Sequence, residues 1–234
     1  MDTFASSAPI DAGLDAAIIG ANSEYQVGVA LMATDGGDVH QYGVEEPFEA
    51  ASTAKILTAA AYYHLVEEGS ASLDDPLGAF TSEFQIQAMV QDSNNESWSL
   101  LMAAVGLSEL SEYAASIDVT YDSEVNTLST AEMAHILAEL FEGRLLDQEH
   151  TEQLLSYMQD TNYENLIPAA VPDGITVFHK YGLLDDELAD AAILSMSSGS
   201  YVLVVFTKGA DLSDIPERTV VIQEITKAVT AALS

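Results

Sequence analysis

The order of the patterned segments constrains the fold of this chain more than any other feature. Segments rich in β-branched and alternating apolar residues occur near both ends, and turn signals such as Gly36-Gly37 separate them. They are Tyr25–Ala33, Val39–Tyr42, Ile175–Lys180, Ala189–Met196 and Tyr201–Thr207. The long interval between the second and third of them has helical rather than strand periodicity. A single sheet therefore has to be split in sequence by an inserted helical lobe.

Helical spacing of apolar residues, with Gly or cap signals at the ends, predicts six helices. They are residues 8–20, Ser52–Glu68, Ser97–Val105, Thr130–Glu142 with Thr130 as its cap, Asp147–Met158 and Ile215–Leu233. We therefore predict an α/β (α+β) fold, with an antiparallel sheet of about five strands flanked by helices. Residues 1–48 and 165–234 would form the α/β lobe and residues 49–164 an all-helical lobe, with the active site in the cleft between them.

The charge balance excludes several kinds of partner. The chain has 6 Lys and Arg against 38 Asp and Glu, a formal net charge of −32. Such a surface repels nucleic acid and anionic lipid. It indicates adaptation to high salt or a recharged surface, with an acidic protein from a mesophile as the plainer alternative. We expect no membrane span and a monomer, and the sequence Met1-Asp2-Thr3-Phe4 lacks the pattern of a signal peptide.

A candidate nucleophile opens the most Ala-rich helix. Ser52 and Lys55 in Ser52-Thr53-Ala54-Lys55 lie three residues apart, which places them on one helix face, one turn apart. The lysine amine can then reach the serine oxygen, and the helix N-terminus favours the negative charge that develops there. Alone the pattern is weak, because a capped helix with an ordinary surface lysine has the same sequence.

Two further motifs strengthen this interpretation. Ser93 and Asn95 lie two residues apart between helical segments, and Lys180-Tyr181-Gly182 ends a predicted strand. In this order the three motifs resemble those of class A β-lactamases and D,D-peptidases, the penicillin-recognising serine hydrolases, over nearly the whole chain. The scarcity of lysine supports a functional role for these residues, since Lys55 and Lys180 are two of only four lysines, beside Lys208 and Lys227.

The resemblance implies a role for each matching residue. Ser52 would attack a carbonyl, Lys55 would act as its base or proton relay, and Ser93 would pass the proton to the leaving nitrogen. The resemblance assigns substrate binding to Asn95, Lys180, Tyr181 and Gly182, with Asn95 also orienting Lys55 and Lys180 also lowering the pKa of Lys55. The backbone N–H groups of Ser52 and Leu183 would form the oxyanion hole. It implies no metal, no cofactor, and a secreted, periplasmic or cell-envelope location.

The sequence departs from the family pattern at two places. Tyr181 stands where a small hydroxyl residue normally binds the substrate carboxylate. The E-x-x-L-N pattern that supplies the deacylating glutamate is missing, and Glu124 is the candidate base in a shortened loop before Thr130. In so acidic a chain a solvated acid is the simpler interpretation of Glu124. Two other residues also have simple interpretations: His179 should be structural and face away from Lys180, and Glu132 with His135 lacks a partner metal motif.

Three functions remain open at this point. The first is a β-lactamase-like serine hydrolase that forms an acyl-enzyme with β-lactams or D-Ala-D-Ala-like peptides and deacylates slowly. The second is a D,D-peptidase or esterase that β-lactams merely acylate. The third is a catalytically weak pseudoenzyme or engineered scaffold. The intact motifs favour the enzymes, whereas Tyr181 and the short loop favour the scaffold.

Overall fold

A five-stranded antiparallel sheet forms the centre of the molecule. The computed structural model describes residues 24–234, so the helix expected at residues 8–20 lies outside the described part. The strands are β1 (Gln26–Ala33), β2 (His40–Gly43), β7 (Thr176–Leu184), β8 (Glu187–Met196) and β9 (Gly199–Lys208). Their order is β2-β1-β9-β8-β7, so the early and late strands join through β1 and β9 as the split pattern requires. The expected fold class is confirmed.

Two short strand pairs and the helices complete the described part. Strand β3 (Phe48–Glu49) pairs with β6 (Thr127–Leu128), and β4 (Pro76–Leu77) pairs with β5 (Phe80–Thr81). The helices are α1 (Lys55–Glu67), α2 (Ser82–Val90), α3 (Asn95–Val105), α4 (Leu107–Ser116), α5 (Thr130–Phe141), α6 (Gln148–Tyr157), α7 (Ile167–Ala170) and α8 (Ile215–Leu233). Ala51–Ala54 and Leu212–Asp214 form short 3₁₀ turns.

The helix boundaries correct two sequence-based predictions. Ser129, rather than Thr130, caps α5: its hydroxyl accepts the N–H of Glu132, whose carboxylate accepts the Ser129 N–H in return. Such a capping box satisfies two N–H groups at once, which one residue later would not allow. Ser52 lies in the 3₁₀ turn, and the α-helix itself begins at Lys55. Helices α2 and α4 were not predicted.

The sheet has a separate core on each face. One face packs with α1 and α5 in a large cluster that includes Leu57, Ile136 and Val204. The other packs against α8 through residues such as Leu203 and Ile225. Because both faces are covered, β1, β8 and β9 are buried almost throughout, which explains their nearly continuous apolar sequences. Helix α5 packs on β1, β8 and β9, so the sheet and the inserted helices share a core, and the proposed lobe boundaries at 49 and 164 stay a prediction.

The six cations of the chain divide into two groups. Four of them form ion pairs: Lys208 with Glu187, Arg218 with Asp214, Arg144 with Glu139, and Lys227 with Glu224. Within residues 24–234, Lys55 and Lys180 form no such pair. In the same range no helix is long and apolar enough to cross a bilayer.

This distribution generates a prediction about salt. Six cations against 38 acids leave most carboxylates without a cationic partner, so counterions must relieve their repulsion. We expect the melting temperature to rise by about 5 °C or more between low-salt buffer and molar KCl. Differential scanning calorimetry measures it, and an unchanged melting temperature would contradict the prediction.

Candidate active site

The backbone before Ser52 has an uncommon conformation. Ala51 has a φ of 48°, in the left-handed region that residues with a Cβ rarely adopt. That conformation costs about 1–2 kcal/mol and persists only where the surroundings enforce it. The Ser52 side chain that follows is partly exposed, and its hydroxyl has no hydrogen-bond partner among residues 24–234.

Asn126 holds this turn in place. Its carbonyl accepts the Ala50 N–H at 2.8 Å, and its side-chain Nδ2 donates to the Ala51 carbonyl at 3.0 Å. Asn126 itself has a φ of 56°, which asparagine tolerates better than most residues. The Tyr121 hydroxyl donates to the Asn126 Oδ1 at 3.0 Å and fixes the orientation of the amide. The loop before α5 therefore supports the backbone of the nucleophile.

Lys55 is fully buried beside the second motif. Its Nζ donates to the Ser93 carbonyl at 2.8 Å, the Ser93 Oγ at 3.1 Å and the Asn95 Oδ1 at 2.7 Å. The Nζ also lies 5.0 Å from the centroid of the Trp98 ring, and the Trp98 Nε1 donates to Thr58 Oγ1. Burial lowers the pKa of Lys55 to about 8, so a useful fraction of the amine is neutral near pH 8.

The geometry of Ser93 depends on its own backbone and on a distant loop. Ser93 has a φ of 55°, and both its carbonyl and its hydroxyl meet Lys55. The preceding residues are tied to the segment after α6: Asn162 Nδ2 donates to the Asp92 carbonyl at 2.7 Å, and Gln91 Nε2 donates to the Gln159 carbonyl. Asn94 caps α3 by accepting the Ser97 N–H, which leaves Asn95 free to face Lys55.

Strand β7 brings the third motif against the nucleophile. A Cβ on Gly182 would lie 3.1 Å from the Ala50 carbonyl oxygen and 3.2 Å from the Ser52 nitrogen, so a larger residue would push the strand and the turn apart by a few tenths of an ångström. Strand β7 is a sheet edge, and the His179 N–H points away from β8 because it donates to the Met158 carbonyl. N–H direction alternates along a strand, so the Leu183 N–H leaves the same edge. This direction is compatible with the oxyanion-hole role predicted for Leu183.

Lys180 is as deeply buried as Lys55. Its Nζ donates to the Tyr181 carbonyl at 3.2 Å and lies 4.1 Å from the centroid of the Tyr181 ring. Burial, and then the nearby charge of Lys55, lower the pKa of Lys180 to about 7. The role predicted for Lys180, lowering the pKa of Lys55, stays a prediction. Burial is the cause of the lowered pKa at Lys55 and the first cause at Lys180, where the charge of Lys55 adds to it.

His179 belongs to a separate buried network. Its Nδ1 lies 2.9 Å from Asp190 Oδ1, and its Nε2 lies 3.1 Å from Glu164 Oε1 and 3.0 Å from Thr161 Oγ1. Burial lowers the pKa of His179, but the two carboxylates outweigh it and raise that pKa to about 9. Asp190 also accepts the Ile167 N–H. These contacts agree with the structural role predicted for His179.

No carboxylate of the loop between residues 117 and 130 contacts Ser52. Glu124 is exposed, and its N–H donates to Asp122 Oδ1 at 2.9 Å within a local turn. When the E-x-x-L-N pattern is aligned on Asn126, its glutamate falls on Asp122 rather than Glu124, a near match that the sequence analysis missed. The Asp122 carboxylate, however, accepts the N–H groups of Glu124 and Val125. It stabilises the turn.

Other candidates have structural partners. Glu132 completes the capping box of α5, and His135 Nε2 lies 3.0 Å from the Ile117 carbonyl. Neither is part of a metal-type cluster within residues 24–234. Asn126 was not predicted as a site residue, because a single asparagine directly before the short strand Thr127–Leu128 carries no chemical signal in the sequence.

Comparison with known proteins identifies the family. The family described as "Beta-lactamase enzyme family" matches residues 79–233, and the family "Beta-lactamase" matches residues 16–94. The chain belongs to this family of β-lactamase-like serine hydrolases. No curated protein matches it in sequence.

Solved structures share the fold at low identity. PBP-A superposes with a TM-score of 0.86 at 20% identity, covering 95% of both chains. A β-lactamase from Sphaerobacter thermophilus gives 0.84 at 24% identity and 98% of both chains. A mutant of PBP-A, in an acyl-enzyme complex with penicillin G, gives 0.86 at 20% identity and 96% of both chains. At these identities the likeness shows the fold alone.

The support of the nucleophile turn by Asn126 can be tested with glycine, which keeps the positive φ but removes the amide. We expect Asn126→Gly to lower the rate of Ser52 acylation about tenfold and to destabilise the fold by about 2 kcal/mol, the cost of two lost side-chain hydrogen bonds. Rapid-quench mass spectrometry and urea unfolding measure the two effects. Asn165→Gly, at an exposed position, is the matched control. Equal behaviour of the two variants would contradict the assignment.

Proposed function

We propose that the chain is a serine hydrolase that forms an acyl-enzyme through Ser52 with β-lactams or D-Ala-D-Ala-like peptides and releases it slowly. The observation that carries the proposal is the contact of the buried Lys55 amine with Ser93 and Asn95, one helical turn from Ser52. The penicillin G complex of the PBP-A mutant supports the choice of substrate class, since that protein has the same fold.

The acylation half-reaction uses groups that are all present. Neutral Lys55 accepts the proton of the Ser52 hydroxyl, whose oxygen attacks the carbonyl carbon of the substrate. The N–H groups of Ser52 and Leu183 stabilise the oxyanion. The proton passes from Lys55 to the Ser93 hydroxyl, 3.1 Å away, and Ser93 donates a proton to the leaving nitrogen. The carbon–nitrogen bond breaks, and the acyl group stays on Ser52.

Deacylation lacks an evident second base. Glu124 is exposed, and Asp122 is engaged with the backbone of its own turn. Loss of one positioned base lowers a rate by about 10²–10⁴. In the presence of substrate we therefore expect the acyl-enzyme to accumulate.

Two alternatives have specific support. A D,D-peptidase or esterase that β-lactams merely acylate is favoured by the intact motifs of Ser52, Ser93 and Lys180. A catalytically weak pseudoenzyme or engineered scaffold is favoured by Tyr181 and the shortened loop. We further propose that the protein is a monomer that acts in the cell envelope, the periplasm or outside the cell, where such substrates occur.

Accumulation of the acyl-enzyme is the first test. Mixed with a penicillin, the protein should gain one covalent adduct that lasts minutes, while Ser52→Ala gains none, because acylation is supported and deacylation is not. Intact-protein mass spectrometry measures the adduct and its lifetime. Glu124→Ala should leave that lifetime unchanged. An adduct lifetime prolonged about a hundredfold by Glu124→Ala would identify Glu124 as the base and contradict slow intrinsic deacylation.

The pH dependence of acylation tests the role of Lys55. Its pKa lies near 8, so the neutral base becomes more abundant with rising pH, and the acylation rate should rise through a midpoint near pH 8 and level off about one pH unit above it. Asn95→Asp would place a carboxylate beside the Lys55 amine, favour the ammonium and move the midpoint to higher pH. Stopped-flow rates from about pH 6 to about pH 10 measure both profiles. A common midpoint in the two proteins would exclude Lys55 as the titrating base.

A further inference from the structure

The carboxylate-binding position of the site is occupied by an aromatic ring. The centroid of the Tyr181 ring lies 4.1 Å from Lys180 Nζ, and the ring packs at a tilt of 36° against the Tyr163 ring, with centroids 4.9 Å apart. Lys180 is 0% exposed and, within residues 24–234, has no carboxylate partner in hydrogen-bond range. The ring face thus stands where a counter-ion would be, through a cation–π contact.

Lys180 is fully buried with this ring against its amine, so a substrate carboxylate that approached the amine from that side would have to displace the ring. The ring is held from two sides, by Lys180 and by Tyr163. Tyr163 is itself fixed, because its neighbours Thr161 and Glu164 bind His179. Displacing it would break the contact with Tyr163 and leave the Lys180 amine to be solvated again. The small hydroxyl that elsewhere in the family meets the carboxylate is also absent here.

The charge of the protein also disfavours substrates that carry a carboxylate. The net charge of −32 repels anionic substrates from the surface. Burial and Lys55 together hold the pKa of Lys180 near 7, so at neutral pH and above the amine is uncharged for much of the time. A permanently cationic anchor would be needed to offset both effects.

We propose that Tyr181 closes the carboxylate subsite, so that Ser52 is acylated preferentially by uncharged acyl donors: carboxylic esters, and amides or lactams with no carboxylate beside the leaving group. The inference rests on the proposed function, Ser52 acylation. With an ester, the Ser52 oxygen forms the new bond to the acyl carbon and the bond to the alkoxy oxygen breaks. The Ser52 proton passes through Lys55 and Ser93 to that oxygen, which leaves as the alcohol. Water later releases the carboxylic acid.

A matched pair of substrates isolates the carboxylate. Benzylpenicillin and its methyl ester have the same reactive ring and differ only in that group. The protein should be acylated faster by the methyl ester, by about tenfold or more. Tyr181→Thr restores a small hydroxyl beside Lys180 and should shift the ester-to-acid ratio by about a hundredfold towards the free acid. Phe80→Thr, at an exposed aromatic of the helical lobe, should keep the ratio of the unchanged protein.

A second variant separates the ring from its hydroxyl. Tyr181→Phe retains the ring face and should keep the preference for the methyl ester. A selective loss of benzylpenicillin acylation in Tyr181→Phe would show that the phenol binds the carboxylate and would overturn the inference. Faster acylation of the unchanged protein by the free acid would overturn it as well. Failure of both penicillins, and of a neutral p-nitrophenyl ester, to label Ser52 in any variant would instead overturn the proposed function.

Accessibility of Lys180 provides a readout that does not depend on turnover. Trace acetylation followed by peptide mapping reports each of the four lysines, and the exposed Lys227 and the half-buried Lys208 serve as internal references. Lys180 should be protected in the unchanged protein and become reactive in Tyr181→Thr, if that variant keeps its melting temperature within a few degrees. Full reactivity of Lys180 in the unchanged protein would show that the ring does not close the subsite.

Discussion

Within residues 24–234 the amine of Lys55 is held by three neutral oxygens and by no carboxylate, and the chemistry of the site depends on that arrangement. Thirty-eight acids are present in the chain, so keeping them out of this position is a constraint on the whole fold. A carboxylate within hydrogen-bond distance would stabilise the ammonium and deprive Ser52 of a base. Ser93 and Asn95 satisfy the donors of Lys55 without that penalty, and the ring of Trp98 covers it. Burial of the Lys55 amine then lowers its pKa.

Local patterns predicted the parts of the fold that are encoded locally. The five sheet strands, the helix at Ile215–Leu233 and the three motifs follow from periodicity and spacing. The sequence could not reveal the support of the site, because it comes from residues distant in sequence. Asn126 meets Ala51 across 75 positions and Asn162 meets Asp92 across 70, and neither contact leaves a periodic trace. The capping residue of α5 was misplaced by one position because Ser129 and Thr130 are both good caps, and only the reciprocal contact with Glu132 distinguishes them.

The edge position of β7 explains how one strand can serve several purposes. Groups that point away from β8 are free for other partners: the His179 N–H meets Met158, the Tyr181 carbonyl meets Lys180, and the Leu183 N–H leaves the same side. In a central strand all of these groups would form hydrogen bonds with the two neighbouring strands. Gly182 then allows the edge to approach the turn of Ser52. An uncovered sheet edge favours aggregation, but the edge of β7 is covered by the nucleophile turn and by the segment after α6.

The short loop before α5 cannot easily perform two tasks. Asn126 and Tyr121 fix the strained backbone at Ala51, and Asp122 accepts two backbone N–H groups to form the turn that presents Asn126. If the Asp122 carboxylate turned towards Ser52, it would leave those N–H groups unpaired and loosen the turn that positions the nucleophile. A longer loop could carry a base on one segment and backbone support on another. In this chain the two demands fall on the same six residues, 121–126, so support of the nucleophile and activation of a hydrolytic water compete directly.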